Sequence, residues 1–271
     1  MDHSAHEGHD MSAMDHDMDH DIAMEGALGP YDMAREASGT SWQPDTSAHG
    51  GLQFMSGDWM LMGHALLNSV YDRQEGPRGG KKTFVSGMIM AMAQRSLDSG
   101  DTLQFRAMIS PDPFMGKSGL PLLLASGESA DGLTPLIDRQ HPHDLIMEAS
   151  ASYSHRLNDT QSLFVYAGLP GEPAFGPPAF MHRQSISDSP EPPISHHWLD
   201  STHITFGVVT AGYVHDAWKF EASRFHGREP DENRYDVETG ALDSTAARLS
   251  WNPAAAWSLQ ASWAHVLSPE A

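Results

Sequence analysis

From about Leu52 onward the chain alternates apolar and polar residues with a period of two, the spacing of a strand whose two faces meet different surroundings. The clearest stretch is 101–109. There Leu103, Phe105, Ala107 and Ile109 share one face, with Thr102, Gln104 and Arg106 on the other. Across 144–155, Leu145, Met147, Ala149, Ala151 and Tyr153 oppose Asp144, Glu148, Ser150, Ser152 and Ser154. Across 256–266, Trp257, Leu259, Ala261 and Trp263 oppose Ser258, Gln260 and Ser262. Segments 59–71, 83–95, 161–169, 202–214, 217–226 and 243–251 read as further strands, with turn formers such as Asn158 and Asp159 in the gaps. The pattern predicts an all-β, antiparallel fold.

Several of these strands approach the length of about 9–11 residues that a tilted membrane strand requires. Two Pro/Gly-rich stretches, 110–143 and 168–201, alternate with tight turns near 99–100, 157–160, 215–217 and 252–255. Long outer loops alternating with short turns are the connectivity of an outer-membrane β-barrel. A soluble β-sandwich or barrel competes with it on alternation alone. The final Ser268, Pro269, Glu270 and Ala271 are turn-like, so the barrel is expected to be incomplete at this C-terminus.

Composition divides the chain in two. Its 271 residues carry 36 acids and 16 bases, a formal charge of -20 with His neutral. Nine acids fall within 1–34, where there is no Lys or Arg, leaving -11 for the remainder. The opening MDHSAHEGHDMSAMDHDMDHDIAM also holds five of 17 His and five of 16 Met. It lacks aromatics and periodicity, so it cannot bury enough apolar surface to offset ordering. The expected division is a disordered, metal-binding tail over 1–34 and the barrel over 35–271. The tail has no basic start or apolar core, so an export signal is expected to be already absent from this chain. The acid excess speaks against nucleic acid and anionic membrane surfaces as partners. Without cysteine, disulfides, thiolate metal sites and Cys nucleophiles are excluded. No run of 18 apolar residues predicts a membrane helix, a test that says nothing of strands.

The tail resembles the Met/His/Asp-rich tracts of exported copper-resistance proteins, among them the copper-resistance protein B family. The body resembles a group of bacterial outer-membrane barrel proteins encoded beside metal-resistance genes. The strings that carry this likeness are REASGTSWQPD at 35–45, DRQHPHD at 138–144, YAGLPGEPAFGPPAFMHR at 166–183 and HHWLDSTH at 196–203. The resemblance implies an outer-membrane location with the tail in the periplasm. It implies copper ions and outer-membrane lipid as partners, with periplasmic copper carriers beside them. It brings no catalytic motif.

Candidate ligands follow from donor chemistry. Imidazole suits copper and zinc, thioether selects copper(I), and carboxylate suits harder ions. The tail offers His3, His6, His9, Met11, Met14, His16, Met18 and His20. The loops offer His141, His143 and Asp144, then His196 and His197, with His203 and Asp200 nearby. The 141–144 string also reads as a rigid turn. Met60 and Met62, then Met88, Met90 and Met92, and Met108 share strand faces with Ser86, Gln94, Gln104 and Arg106. They read either as a thioether ladder, if that face points inward, or as adaptable packing. His64, His155 and His265 read as ordinary strand residues. The expected function is copper handling without catalysis. A porin-like or structural barrel is the first alternative, and a lipid-modifying barrel enzyme using Ser195, His196 and Asp200 the second.

Overall fold

The computed structural model describes residues 24–48, 50–267 and 269. The strands are β1 (Leu52–Ser56), β2 (Trp59–Arg73), β3 (Lys81–Ser96), β4 (Thr102–Ile109), β5 (Leu120–Ser129), β6 (Pro135–Gln140), β7 (Ile146–Asn158), β8 (Gln161–Gly168), β9 (Val208–His215), β10 (Trp218–Phe225), β11 (Ser244–Ala254) and β12 (Trp257–His265). Ten of them form one sheet in the order β1-β2-β3-β4-β7-β8-β9-β10-β11-β12, while β5 and β6 pair by themselves. Every pairing is antiparallel. The all-β reading holds. A closed barrel is not seen, because β1 and β12 end the strand order and no pairing joins them among the described residues.

The alternation sorts the two faces by chemistry in an unusual sense: the apolar face is the exposed one. On β4, Phe105 and Ile109 are exposed while Thr102, Gln104, Arg106 and Met108 are buried. On β10, Trp218 and Phe220 are exposed while Lys219, Glu221 and Ser223 are buried. A charge buried this way needs partners. Glu221 accepts from Arg248 Nε at 2.8 Å and Thr40 Oγ1 at 2.6 Å, with Lys219 Nζ 3.3 Å away.

Two segments cover the polar face. The first is 24–48. Leu28 O accepts from Ser154 Oγ at 3.0 Å and Ser162 Oγ at 2.7 Å, and Glu25 O accepts from Gln94 Nε2 at 2.9 Å. Leu28, Tyr31 and Trp42 bury against Phe164 and Val214. Residues 24–34, which composition assigns to the tail, therefore pack on the sheet. Tyr31 and Leu28 supply the apolar area that the preceding tract lacks. The second cover is the 169–207 connection. Ala174 N donates to Ser223 Oγ at 2.8 Å, and Ala179 N donates to Ser38 Oγ at 2.7 Å.

The expected loop 110–143 contains the β5–β6 hairpin, and the expected strand 202–214 begins only at Val208. Met147 is also turned. Strict alternation puts it on the apolar exposed face, but the β4–β7 register shifts between Met108 and Ile109, and Met147 is fully buried. Such a bulge re-aims a side chain by inserting one residue.

Candidate metal centre

Antiparallel connectivity places the short turns at one end of the sheet and the long connections at the other. Three connections meet at that second end. The β4–β5 connection brings Asp112, the β6–β7 connection brings His143, and the β8–β9 connection brings His196, Asp200 and His203. His196 opens a one-turn helix, His196–Leu199, and His203 ends a 3₁₀ turn, Ser201–His203. Gly176, at φ +75°, passes so close to the helix end that a Cβ would collide with Leu199 O. Glycine there lets the connection fold back on itself and fix the turn that carries Asp200.

His143, His196 and His203 are all buried, and each offers a ligand atom within 4.8 Å of the other two. Zinc–imidazole bonds of about 2.0–2.1 Å set tetrahedral donors roughly 3.4 Å apart, so inward shifts of under about 1 Å per ring close the triangle. The rings pack edge to face, His196 and His203 at 4.8 Å between centroids and His143 and His203 at 5.2 Å. Phe180 walls the group, 6.0 Å from His143 and 5.3 Å from His196.

Two of the three rings are hydrogen-bonded from behind, and the third lies near a carboxylate. His143 Nδ1 lies 2.8 Å from Asp112 Oδ2, and His203 Nδ1 lies 2.8 Å from Asp200 O. His196 Nδ1 is 3.3 Å from Asp200 Oδ1. Asp200 is itself fixed, its Oδ2 accepting from Phe180 N at 2.8 Å and Arg183 Nη2 at 2.9 Å. Asp112 accepts from Gly87 N at 3.3 Å, where the backbone of β3 takes a positive φ. Nε2 of His143 and Nε2 of His203 are buried without a hydrogen-bond partner. A buried polar atom left unmade costs about 1–3 kcal/mol. Imidazoles oriented through one nitrogen by a carboxylate or carbonyl, with the other presented inward, have the arrangement of a metal-binding triad.

The electrostatics favour the neutral ligand form. Burial, then the neighbouring His196 and His143, hold His203 well below the ordinary imidazole range. Burial lowers His196 as well, with Asp200 partly opposing it. Burial pushes the Asp112 carboxyl up, but the bonds from His143 and nearby hydroxyls outweigh it and leave it below the usual carboxylate range. A metal binds the deprotonated ring, so these shifts pre-set the site for a cation.

The expected loop ligands divide. His143 and His196 join the triad, and His203, named in the sequence only as a neighbour, completes it. His141 and His197 lie beside it. Their rings are 5.3 Å apart, His197 Nε2 meets Gln140 Oε1 at 2.9 Å, and His141 Nε2 meets Glu128 Oε1 at 3.1 Å. Asp144 is not with the triad; its Oδ2 lies 3.4 Å from Arg234 Nη1. Glu128, His141 and Glu229 also converge, as do Asp231, Asp236 and Glu238. Asp112 was missed, since a separation of 31 residues from His143 leaves no spacing signal. His3, His6, His9, Met11, Met14, His16, Met18 and His20 lie outside the described residues. Ser195 Oγ makes no hydrogen bond among the described residues, so the Ser195, His196 and Asp200 set lacks its nucleophile–base contact. No family model, curated protein or solved structure matches this chain.

Proposed function

We propose that this chain is a copper-handling β-barrel protein of the bacterial outer membrane, holding its metal on His143, His196 and His203. The observation that carries the reading is the triad: three buried imidazoles, braced by Asp112 and Asp200, with two inward nitrogens unpartnered. Imidazole donors suit copper(II) and zinc alike. Copper is favoured because the buried residues beyond Phe180 are mostly methionines, donors that zinc does not select. The His/Met/Asp tract at 1–24 would gather cations ahead of this site, its acids attracting them from a distance.

The membrane part of the proposal rests on the sorted faces. Leu163, Val165, Val209 and Phe220 are exposed on the apolar face. Tyr213, Trp218, Trp251 and Trp257 gather near the short turns, Trp218 stacking on Trp251 at 4.9 Å. An apolar band with aromatics at its edge is what lipid and its interface select. Against an open channel stands the polar face itself, covered by 24–48 and 169–207. Two experiments test the proposal. Copper(II) titration of the full chain is expected to show one tight equivalent that the double variant His143→Ala, His203→Ala loses; retention of that equivalent overturns the metal assignment. Val165→Arg is expected to cost about 2–4 kcal/mol of stability in a bilayer. A fully native protein that is soluble without detergent and indifferent to this change overturns the membrane assignment.

A further inference from the structure

We propose that the methionines of the covered face form a second metal site, a thioether pocket for a soft monovalent cation such as copper(I) or silver(I). It is separate from the histidine triad, and either site can exist without the other.

The methionines are sorted, and packing alone does not sort them. On β3, Val85 and Ile89 are exposed on the apolar face while Met88, Met90 and Met92 are buried on the polar one. A core that needed only apolar volume would place Leu, Ile and Val inside, which specify packing better than Met. Instead nine of the twelve residues in the buried cluster are Met, joined only by Phe180, Ile204 and Phe206. Beside Phe84, their neighbours on the same face are polar: Ser86, Gln94, Gln104 and Arg106 are all buried.

The register brings the sulfurs together in pairs. Met62 lies opposite Met92, and Met90 lies opposite His64 on one side and Met108 on the other. Directly opposed residues have Cβ atoms about 4.5–5.5 Å apart. Long flexible side chains from such positions can converge on one ion. Two sulfurs are already engaged as acceptors, Met92 Sδ from Gln104 Nε2 at 2.9 Å and Met62 Sδ from Gln53 Nε2 at 3.4 Å. Both residues line one space. That space is a cavity of about 750 Å³ lined by Met33, Met62, Met88, Met90, Met92 and His64, with Glu36 and Asp188 also on its wall. Thioethers with one imidazole are a donor set that selects soft, low-charge cations over zinc, calcium or magnesium. The cluster reaches the triad through Phe180, which belongs to the cluster and contacts His143 and His196. Binding is proposed for an ion already in the monovalent state, and no electron transfer is involved.

Silver(I), which has no accessible redox step, is the probe. The full chain is compared in detergent with an interior variant (Met62→Leu, Met90→Leu, Met92→Leu) and a tail variant (Met11→Leu, Met14→Leu, Met18→Leu). Leu keeps the apolar volume and removes the sulfur. X-ray absorption at the silver edge is expected to show sulfur neighbours in the wild type and the tail variant, with the interior variant losing them together with tight binding. Copper(II) coordination by imidazole should be unchanged in the interior variant, so failure of this proposal and failure of the triad read out separately. Silver(I) binding that survives the interior substitutions, or is lost only with the tail, overturns the thioether site. Should the interior variant not fold, methyl-labelled Met in the wild-type chain decides. Resonances of Met62, Met90 and Met92 that shift on adding silver(I) support the site; unmoved resonances overturn it.

Discussion

Two groups of loop histidines stand side by side and differ in what the second ring nitrogen meets. In the pair, His197 Nε2 donates to Gln140 Oε1 and the His141 ring meets Gln140 Nε2 at 3.3 Å, so the imidazoles close local hydrogen bonds. In the triad, Asp112 and the Asp200 backbone hold His143 and His203 from behind, and their Nε2 atoms are left buried and unpartnered. Both groups are buried or half-buried, and both are deprived of protons by burial. Crowding of imidazoles therefore does not distinguish a site. The direction of the unbonded nitrogen does.

The comparison breaks most sharply at the ligands. Replacing His203 with Ala is expected to weaken copper(II) binding by more than the roughly 10–100-fold that loss of an outer hydrogen-bond partner costs. Calorimetric titration would read the change. Asp112→Asn keeps the ring in place but removes the charge behind it, and should weaken binding by about 10–100-fold. An affinity within error of wild type would show that Asp112 has only a structural role.

A smaller effect separates the groups by pH. Burial first, then His196, lowers the folded-state pKa of His197 to about 4, from an unfolded value of about 6.5. Between these values the unfolded chain takes up a proton that the folded chain refuses, so stability falls as pH drops from about 6.5 toward 4. Thermal melts across that window should show a declining Tm, and His197→Ala should flatten part of the decline. Copper should flatten the part due to His196 and His203 by holding those rings deprotonated, while leaving the contribution of His197. The smallest expected effect is on metal affinity in His197→Ala itself, which should stay near wild type. A large loss there would merge the two groups into one site.

The strands were legible because period-2 alternation is a local signal, and the long elements from β2 to β12 carry it. β5 and β6 were hidden by irregular backbone. Leu124, Glu128 and Asp138 adopt positive φ, and the pairing of β5 with β6 shifts register twice, so no clean alternation survives. β1 has only five residues, all exposed, and offers no two-faced pattern. The inward aim of the methionines was readable from their polar companions on the same face, except Met147, which a bulge turns inward. The histidine strings lie on the loops that meet around the triad, but their spacing did not show which side chains come together. His196 reaches Asp200 because four residues make about one helical turn, whereas His197 is rotated roughly 100° away. That division needs a helix of one turn, which the sequence does not announce. The bracing of His143 by Asp112 joins two connections and depends on tertiary folding alone.

The central claim is that His143, His196 and His203 bind one transition-metal ion. Pulsed electron paramagnetic resonance on the full chain at one equivalent of copper(II) tests it most directly. The chain would carry His3→Ala, His6→Ala, His9→Ala, His16→Ala and His20→Ala to silence the tail. The expected spectrum shows coordinated imidazole nitrogens that disappear when His143 and His203 are also replaced. A spectrum without imidazole coordination, or one unchanged by those two further substitutions, contradicts the claim.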